Sequence, residues 1–290
     1  MRELNREAGS GTAIAVLSRL DVQAKDTLAR LGSLHVRLAR TEAEIEAAQE
    51  LRYRVFCEEL GAMPASPASC LRRDADRFDD ACDHLIVCDT DLPGPDHRRV
   101  VGTYRLLRQE SAAAAGGFYS TAEFELDRLI ARNPGLRFME LGRSCVLQPY
   151  RSKRTIEALW QAIWAYVREH DIDVMAGCAS FPGTVPAAHA QALSFLAHSC
   201  CAGDNWSIRA VPARYRPMDL MPQEAVDAKE AIKQMPPLVK GYLKLGARFG
   251  EGCVIDHEFR TVDVFVVLPV AWIAKRYIDY YGSDSQRLVA

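Results

Sequence analysis

Residues 137–170 constrain the fold more than any other stretch. "RFMELGRSCVLQ" (137–148) reads as a strand, a short basic turn follows, and from about Ser152 to His170 apolar residues recur at helical spacing. The next run, "VMAGCAS" (174–180), carries no charge, which predicts a strand covered on both faces. Strand, helix and buried strand in so little chain require a layered α/β arrangement. The rest of the chain fits that frame. "LHVRLAR" (34–40) alternates like a strand, and Thr41 with Glu44 forms a capping box for a helix from 42 to about 60. Two prolines make "AMPASPAS" (62–69) a loop. "HLIVCD" (84–89) and "RVVGTYRLL" (99–107) are strands joined across the turn-rich "TDLPGPDH". "SAAAAGGFYS" (111–120) is rich in small residues and is expected to be a mobile lid. A helix over 186–198 and strands around "SIRAVP" and "TVDVFVVLPV" complete the set, with "PPLVKGYLKLGARFG" between the last two. This order predicts one α/β (α+β) domain over 34–290, a mixed sheet with helices on both faces. Residues 1–33 are expected to be a tail or an amphipathic arm, with Ile14, Leu17, Leu20, Leu28 and Leu31 on one helical stripe.

Charge and cysteine content narrow the function classes. The 36 lysines and arginines nearly balance the 38 aspartates and glutamates, leaving a net charge of -2, which argues against general nucleic-acid binding. The nine cysteines show no CxxC spacing and are expected to be reduced, as in a cytosolic protein. The seven histidines are scattered, so no metal site is expected. No apolar run approaches the ~20 residues that cross a bilayer, which leaves peripheral contact with the inner membrane as the open alternative.

Four clusters set charges inside apolar surroundings. "LRYRVF" (51–56) puts Arg52 and Phe56 on one helical face, and "DADRFDD" (74–80) gathers Asp74, Asp76, Asp79 and Asp80. "GTYRLL" places Arg105 in a strand, and "MELGRS" places Glu140 and Arg143 in the next. A buried arginine needs a carboxylate partner, so the aspartates and arginines form either an ion-pair network or part of a substrate site. Glu140 is either the partner of Arg143 or a base whose pKa burial raises. Cys145 is either a core cysteine or a nucleophile, and the sequence around it holds no evident activating histidine. Asp263 and the "DHE" turn (256–258) are further candidates for holding an ammonium group.

The order R-x-x-x-F, D-x-D-x-F-D, R-L-L, E-x-x-R resembles the acyl-homoserine-lactone synthases, relatives of the GNAT acetyltransferases. Two departures stand out: "EELGAMP" replaces a tryptophan found shortly after the first block in that family, and Asp74 replaces its usual glutamate. A closer resemblance covers nearly all of 34–280. "LRYRVFCEELGA", "DRFDDACDHLIV", "VVGTYRLLR", "FYSTAEFEL", "ELGRSCV", "PPLVKGYLKLGARFGEG" and "DVFVVLPV" look like the ornithine N-acyltransferase family. The resemblance implies a GNAT-like three-layer fold, with one mixed, mostly antiparallel sheet flanked by helices, and transfer of a 3-hydroxyacyl chain from acyl carrier protein to the α-amino group of L-ornithine. It implies catalytic roles for Glu140 and Arg143, and substrate contacts from Arg52, Phe56, Asp76, Asp79 and Arg105. A lactone-forming signal synthase and a non-catalytic carrier-protein or acyl-chain binding module are the competing readings.

The turn "QPYRSKR" (148–154) lacks the glycines with which acyl-transfer enzymes usually cradle the pyrophosphate of coenzyme A. Carrier protein brings phosphopantetheine with a single phosphodiester and an acidic surface. Arg151, Lys153 and Arg154 are therefore expected to meet the carrier, with no cofactor bound to the chain itself, the alternative being a chance basic helix start. Lys240, Lys244 and Arg248 fall four apart and are either a solvated helix face or a contact with an anionic surface.

Overall fold

The computed structural model describes residues 27–63 and 67–277. Its strands are β1 (Thr27–Leu31), β2 (Leu34–Leu38), β3 (Asp83–Asp89), β4 (Val100–Arg108), β5 (Phe138–Val146), β6 (Val174–Pro182), β7 (Arg248–Asp256) and β8 (Thr261–Pro269). They form one sheet in the order β1-β2-β3-β4-β5-β6-β8-β7. Every neighbouring pair is antiparallel except β5 and β6, which the crossover helix α4 (Lys153–Glu169) joins in parallel. The sheet is therefore mixed and mostly antiparallel.

Helices cover both faces. α1 (Glu42–Tyr53) starts at Thr41, whose hydroxyl accepts the Glu44 N–H, and it lays Ala48 and Leu51 against Ile86, Cys88 and Val100. Its end widens into π-helical turns over Arg54–Glu59. On the opposite face α4 begins at Ser152, which accepts the Thr155 N–H. It buries Ala158, Leu159, Ala162, Ile163, Tyr166 and Val167 in the main core, each large side chain contributing about 1.5–3 kcal/mol. The shorter helices are α2 (Gln109–Ala114), α3 (Leu126–Arg132), α5 (Ala190–Ser199), α6 (Ala228–Gln234) and α7 (Pro237–Leu245).

Two local features of the sheet position the site. β5 and β6 pair only from Phe138–Val174 to Glu140–Ala176, after which β5 follows β4 and β6 follows β8. The two strands splay into a wedge directly beyond Glu140. Gly177 stands at the split with φ +151°, where a Cβ would overlap the Leu141 carbonyl oxygen. Within the wedge β5 carries one residue more than β4 between Gly142 and Cys145, and Arg143 takes a left-handed φ of +52°. This bulge re-aims the side chains on the wedge side of β5.

Several expectations change. Leu28 and Leu31 lie in a strand paired with β2 and not on a helical stripe; Ile14, Leu17 and Leu20 fall outside the described residues. "SIRAVP" makes only isolated bridges, Arg209 to Glu251 and Ala210 to Phe124, in place of a strand. α7 ends at Leu245 before the left-handed Gly246, and Arg248 opens β7, so Lys240, Lys244 and Arg248 do not share one helix. The expected lid is instead α2 followed by a 3-10 turn at Tyr119–Ala122, with Phe118 and Ser120 buried.

Candidate active site

The acidic loop 74–80 and three arginines form one buried network. Arg52, wholly enclosed at the end of α1, donates from Nε to Asp74 (3.0 Å) and from Nη2 to both oxygens of Asp79 (2.8 and 2.9 Å). It also donates to the Asp74 carbonyl. Arg105 on β4 donates to Asp76 at 2.7 Å and to Asp79 at 3.3 Å. Arg143 stands 3.2 Å from Asp74 and 3.3 Å from Asp76. Burial pushes the Asp79 carboxyl up, but Arg52 and Arg105 outweigh it and hold the group below its usual range. The loop also bonds to itself, Asp76 N–H to Asp79 and Phe78 N–H to Asp76.

This network holds up the wall of a cavity of about 250 Å³ in the β5–β6 wedge. Arg105, Arg143, Phe56 and Glu140 line the cavity; Arg52, Asp76 and Asp79 stand behind it and make their contacts to protein. The Arg143 guanidinium lies between two rings, 4.7 Å from Tyr119 and 4.3 Å from Phe259, and Phe56 meets Phe259 edge-on at 5.7 Å.

Glu140, the last β5 residue paired to β6, turns both carboxylate oxygens toward the 3-10 turn. Oε2 accepts the Tyr119 N–H (2.7 Å), and Oε1 accepts the Ser120 N–H (2.9 Å) and the Ser120 hydroxyl. Burial raises its pKa, the hydrogen bonds from Ser120 and Tyr119 and the charge of Arg105 lower it, and burial prevails. Arg143 is not its ion-pair partner; the arginine turns to the aspartates instead.

The opposite wall is acidic. Asp263 on β8 is 6% exposed, and its Oδ1 has no hydrogen-bond partner. Behind that wall Glu123, just beyond the 3-10 turn, is buried and pairs with Arg214 at 3.0 Å. Asp256 is buried at the end of β7 and accepts the backbone N–H groups of Glu258 and Phe259. Burial, with Asp263 and Asp256 adding repulsion, pushes Glu123 up to about 7; burial likewise raises Asp263 to about 6. Cys178 joins them, and the three donor atoms of Glu123, Cys178 and Asp263 lie within 4.8 Å of one another. Burial pushes the Cys178 thiol well above its usual value, so at neutral pH it presents S–H and not the thiolate a metal ion takes. The sequence singled out Asp256 and Asp263 but missed Glu123, Ser120 and Cys178, whose meeting depends on the wedge.

The remaining candidates lie outside the cavity. Arg151 donates to the Val146 carbonyl (2.9 Å) and pairs with Glu59, Arg154 reaches toward the Leu31 carbonyl (3.5 Å), and Lys153 is exposed. Cys145 packs in the core beneath α1, where burial pushes its thiol far up, the opposite of what a nucleophile needs. His257 lies in the exposed turn between β7 and β8.

Known proteins resemble this chain to different degrees. Residues 51–161 match the acetyltransferase (GNAT) domain family. The L-ornithine N(alpha)-acyltransferase of Brucella abortus is 60% identical over 262 residues, which cover 90% of this chain and 93% of that protein. The enzyme of the same name from Rhodobacter capsulatus is 41% identical, covering 86% of this chain and 95% of its own. Among solved structures, an N-acyl amino acid synthase from uncultured soil microbes aligns at 13% identity with a TM-score of 0.46, over 82% of this chain and 92% of its own. Identity of 60% across nine-tenths of the chain, together with a GNAT domain, decides the matter: this is an N-acyltransferase, and it belongs to the L-ornithine N(alpha)-acyltransferase family.

Proposed function

We propose that the chain transfers a 3-hydroxyacyl group from acyl carrier protein to the α-amino group of L-ornithine, giving N-acyl-ornithine, the first step of ornithine-lipid synthesis. The observation that carries this reading is one cavity with guanidinium groups on its β4–β5 side and buried carboxylates on its β7–β8 side. An amino acid bearing a carboxylate and two amino groups needs both signs of charge. Leu60, Ala62 and Leu238 add apolar lining suited to an acyl chain.

The neutral amine attacks the thioester carbon, and the carbonyl electron pair moves onto oxygen. Collapse of that oxyanion breaks the C–S bond and expels the pantetheine thiolate. Glu140, with its raised pKa, takes the proton that the new amide nitrogen sheds, and the thiolate is finally protonated. Ser120, whose hydroxyl donates to Glu140 and also lines the cavity, relays that proton: it receives one from nitrogen and passes its own to Oε1. Arg143, clamped between Tyr119 and Phe259, orients the substrate carboxylate together with Arg105. The chain binds no cofactor of its own, since the carrier delivers the phosphopantetheine, and Lys153 with its neighbours Arg151 and Arg154 meets the carrier's acidic surface. The reaction is cytoplasmic, and its amphiphilic product draws the enzyme to the inner membrane surface. Among the described residues no helix is long and apolar enough to cross a membrane.

The test combines purified protein, long-chain 3-hydroxyacyl carrier protein and L-ornithine, with mass analysis of products and measurement of free thiol. N-acyl-ornithine formed with stoichiometric thiol release supports the reading. A lactone product, or carrier binding without thiol release, overturns it.

A further inference from the structure

The corner where Cys178 and Asp263 line the cavity, with Glu123 behind them, has a shortage of positive charge that the fold itself leaves open. Asp263, Glu123 and Asp256 are three buried carboxylates served by a single guanidinium, that of Arg214, which reaches only Glu123. Among the described residues no cation lies within ion-pair distance of Asp263 or Asp256. Buried charges without partners are strongly unfavourable, and burial accordingly raises the Glu123 and Asp263 carboxyls above their ordinary range. Asp263 lines the cavity, and its Oδ1 is enclosed without a hydrogen-bond partner, although the side chains of Ser180 and Thr261 favour its charged form. An orphaned acceptor in a net-negative corner of a substrate cavity calls for a cationic donor.

The route from this corner to Glu140 is short and continuous. Ser120 Oγ, bonded to Glu140, lies 3.2 Å from Cys178 Sγ, which lies 3.4 Å from Glu123 Oε2. Ala176, Cys178 and Ser180 alternate along β6 and so share one face; Ala176 pairs with Glu140 and Ser180 with Asp263. The two carboxylate positions are thus separated by the width of one serine and one cysteine side chain. A molecule with one amine at Glu140 and a second on a short flexible arm would span that gap.

The geometry points to Asp263, assisted by Glu123, as the subsite that holds the distal ammonium of a diamino-acid acceptor. This rests on the proposed reading that the acceptor is an amino acid, and it assigns where selectivity for a charged side chain arises. Binding of the ammonium there favours the charged carboxylates, and any proton they release goes to solvent. A primary ammonium supplies three donors, one of which meets the unpartnered Oδ1.

The test compares L-ornithine with L-norvaline, which keeps the carbon chain and lacks the distal amine. Acylation is measured with long-chain 3-hydroxyacyl carrier protein for the wild type, Asp263→Asn and Glu123→Gln, each checked for a cooperative thermal transition. In the wild type kcat/KM favours ornithine, and Asp263→Asn cuts that ratio at least tenfold, with Glu123→Gln acting in the same direction. The wild-type KM for ornithine also falls as pH rises from 6 to 8, because the carboxylates lose their competing proton. If the wild type makes N-acyl-ornithine but the ratio is unchanged in both variants, the subsite is overturned while the function stands. If the wild type acylates norvaline as well as ornithine, the subsite is likewise overturned. If ornithine is not acylated at all, both readings fail. If a chelator abolishes the preference and Zn²⁺ or Mn²⁺ restores it, the three residues hold a metal instead and the ammonium assignment is overturned.

Discussion

Arg52 Nη2 lies 2.8 and 2.9 Å from the two carboxylate oxygens of Asp79, and neither side chain reaches solvent to any useful extent. The pair ties the end of α1 to the acidic loop, and through Asp79 to Arg105 on β4. Removing one member strands the other charge in the interior. Arg52→Ala and Asp79→Asn are each expected to cost about 3–5 kcal/mol of stability, read by urea unfolding. A normal unfolding midpoint with activity lost would instead return Arg52 to the role of substrate ligand.

Acid should attack the same pair. The folded state holds the Asp79 pKa below its unfolded value, so its contribution is present above about pH 3.8 and disappears as pH falls through the folded value. Glu123 and Asp263 work in the opposite sense. Their folded pKa values, about 7 and about 6, lie above the ordinary 4.5 and 3.8, so their stabilising protonation is complete below about pH 4 and lost as pH rises toward 7. Without substrate, thermal midpoints should decline between pH 4.5 and 7, and Asp263→Asn should flatten the decline. An equal slope in wild type and variant would show that the pair titrates normally.

Glu140→Gln tests more than basicity. The carboxylate accepts from Tyr119 N–H, Ser120 N–H and the Ser120 hydroxyl, and an amide NH2 in its place must confront at least one donor. The variant should lose about 1–3 kcal/mol of stability as well as turnover. Wild-type kcat/KM should have an acid limb above the usual carboxylate range, since burial raises the Glu140 pKa. Unchanged turnover at saturating substrate would remove Glu140 as the base.

Gly177→Ala should be disproportionately harmful for one methyl group. Its φ of +151° and the overlap of a Cβ with the Leu141 carbonyl both oppose any side chain at the split. A loss of at least about 1–3 kcal/mol is expected from calorimetry, together with a lower kcat, because relief requires shifting β5 against β6. Wild-type stability in this variant would mean that the wedge adapts freely.

Lys153→Glu is the clean probe of carrier binding. Arg151 also braces Glu59 and the Val146 carbonyl, so reversing its charge would disturb the fold along with any docking surface. Lys153→Glu should weaken carrier-protein affinity several-fold, more at low salt, with the melting temperature unchanged. Affinity equal to wild type would leave the basic start of α4 as a solvated helix end.

Periodicity made most of the strands and the α4 crossover legible, because each has one dominant apolar face or a charge-free run. The segment "SIRAVP" misled because its alternation serves two isolated bridges to Glu251 and Phe124 and no continuous ladder. Leu28 and Leu31 misled in the other direction: apolar spacing in five residues fits a helix stripe as well as an edge strand, and only pairing with β2 decides. In the site, the arginines and aspartates were visible because charge in an apolar strand demands a partner. Their division into cavity lining and buried support was not visible, since it depends on which side of the wall each side chain faces. Glu123 escaped notice in "TAEFEL" because nothing local marks it, and its environment is made by Asp263, distant in sequence and adjacent across the wedge.

The parting of β5 from β6 also makes the cavity depend on the C-terminal strands. Glu140 and Arg143 are synthesised well before β7 and β8, which bring Asp256, Phe259 and Asp263 to the same cavity. A nascent or truncated chain ending before residue 256 therefore carries the guanidinium wall and Glu123 without Asp256 and Asp263, and lacks β8, on which most of β6 depends for pairing. The cavity is complete only with β8 in place between β6 and β7.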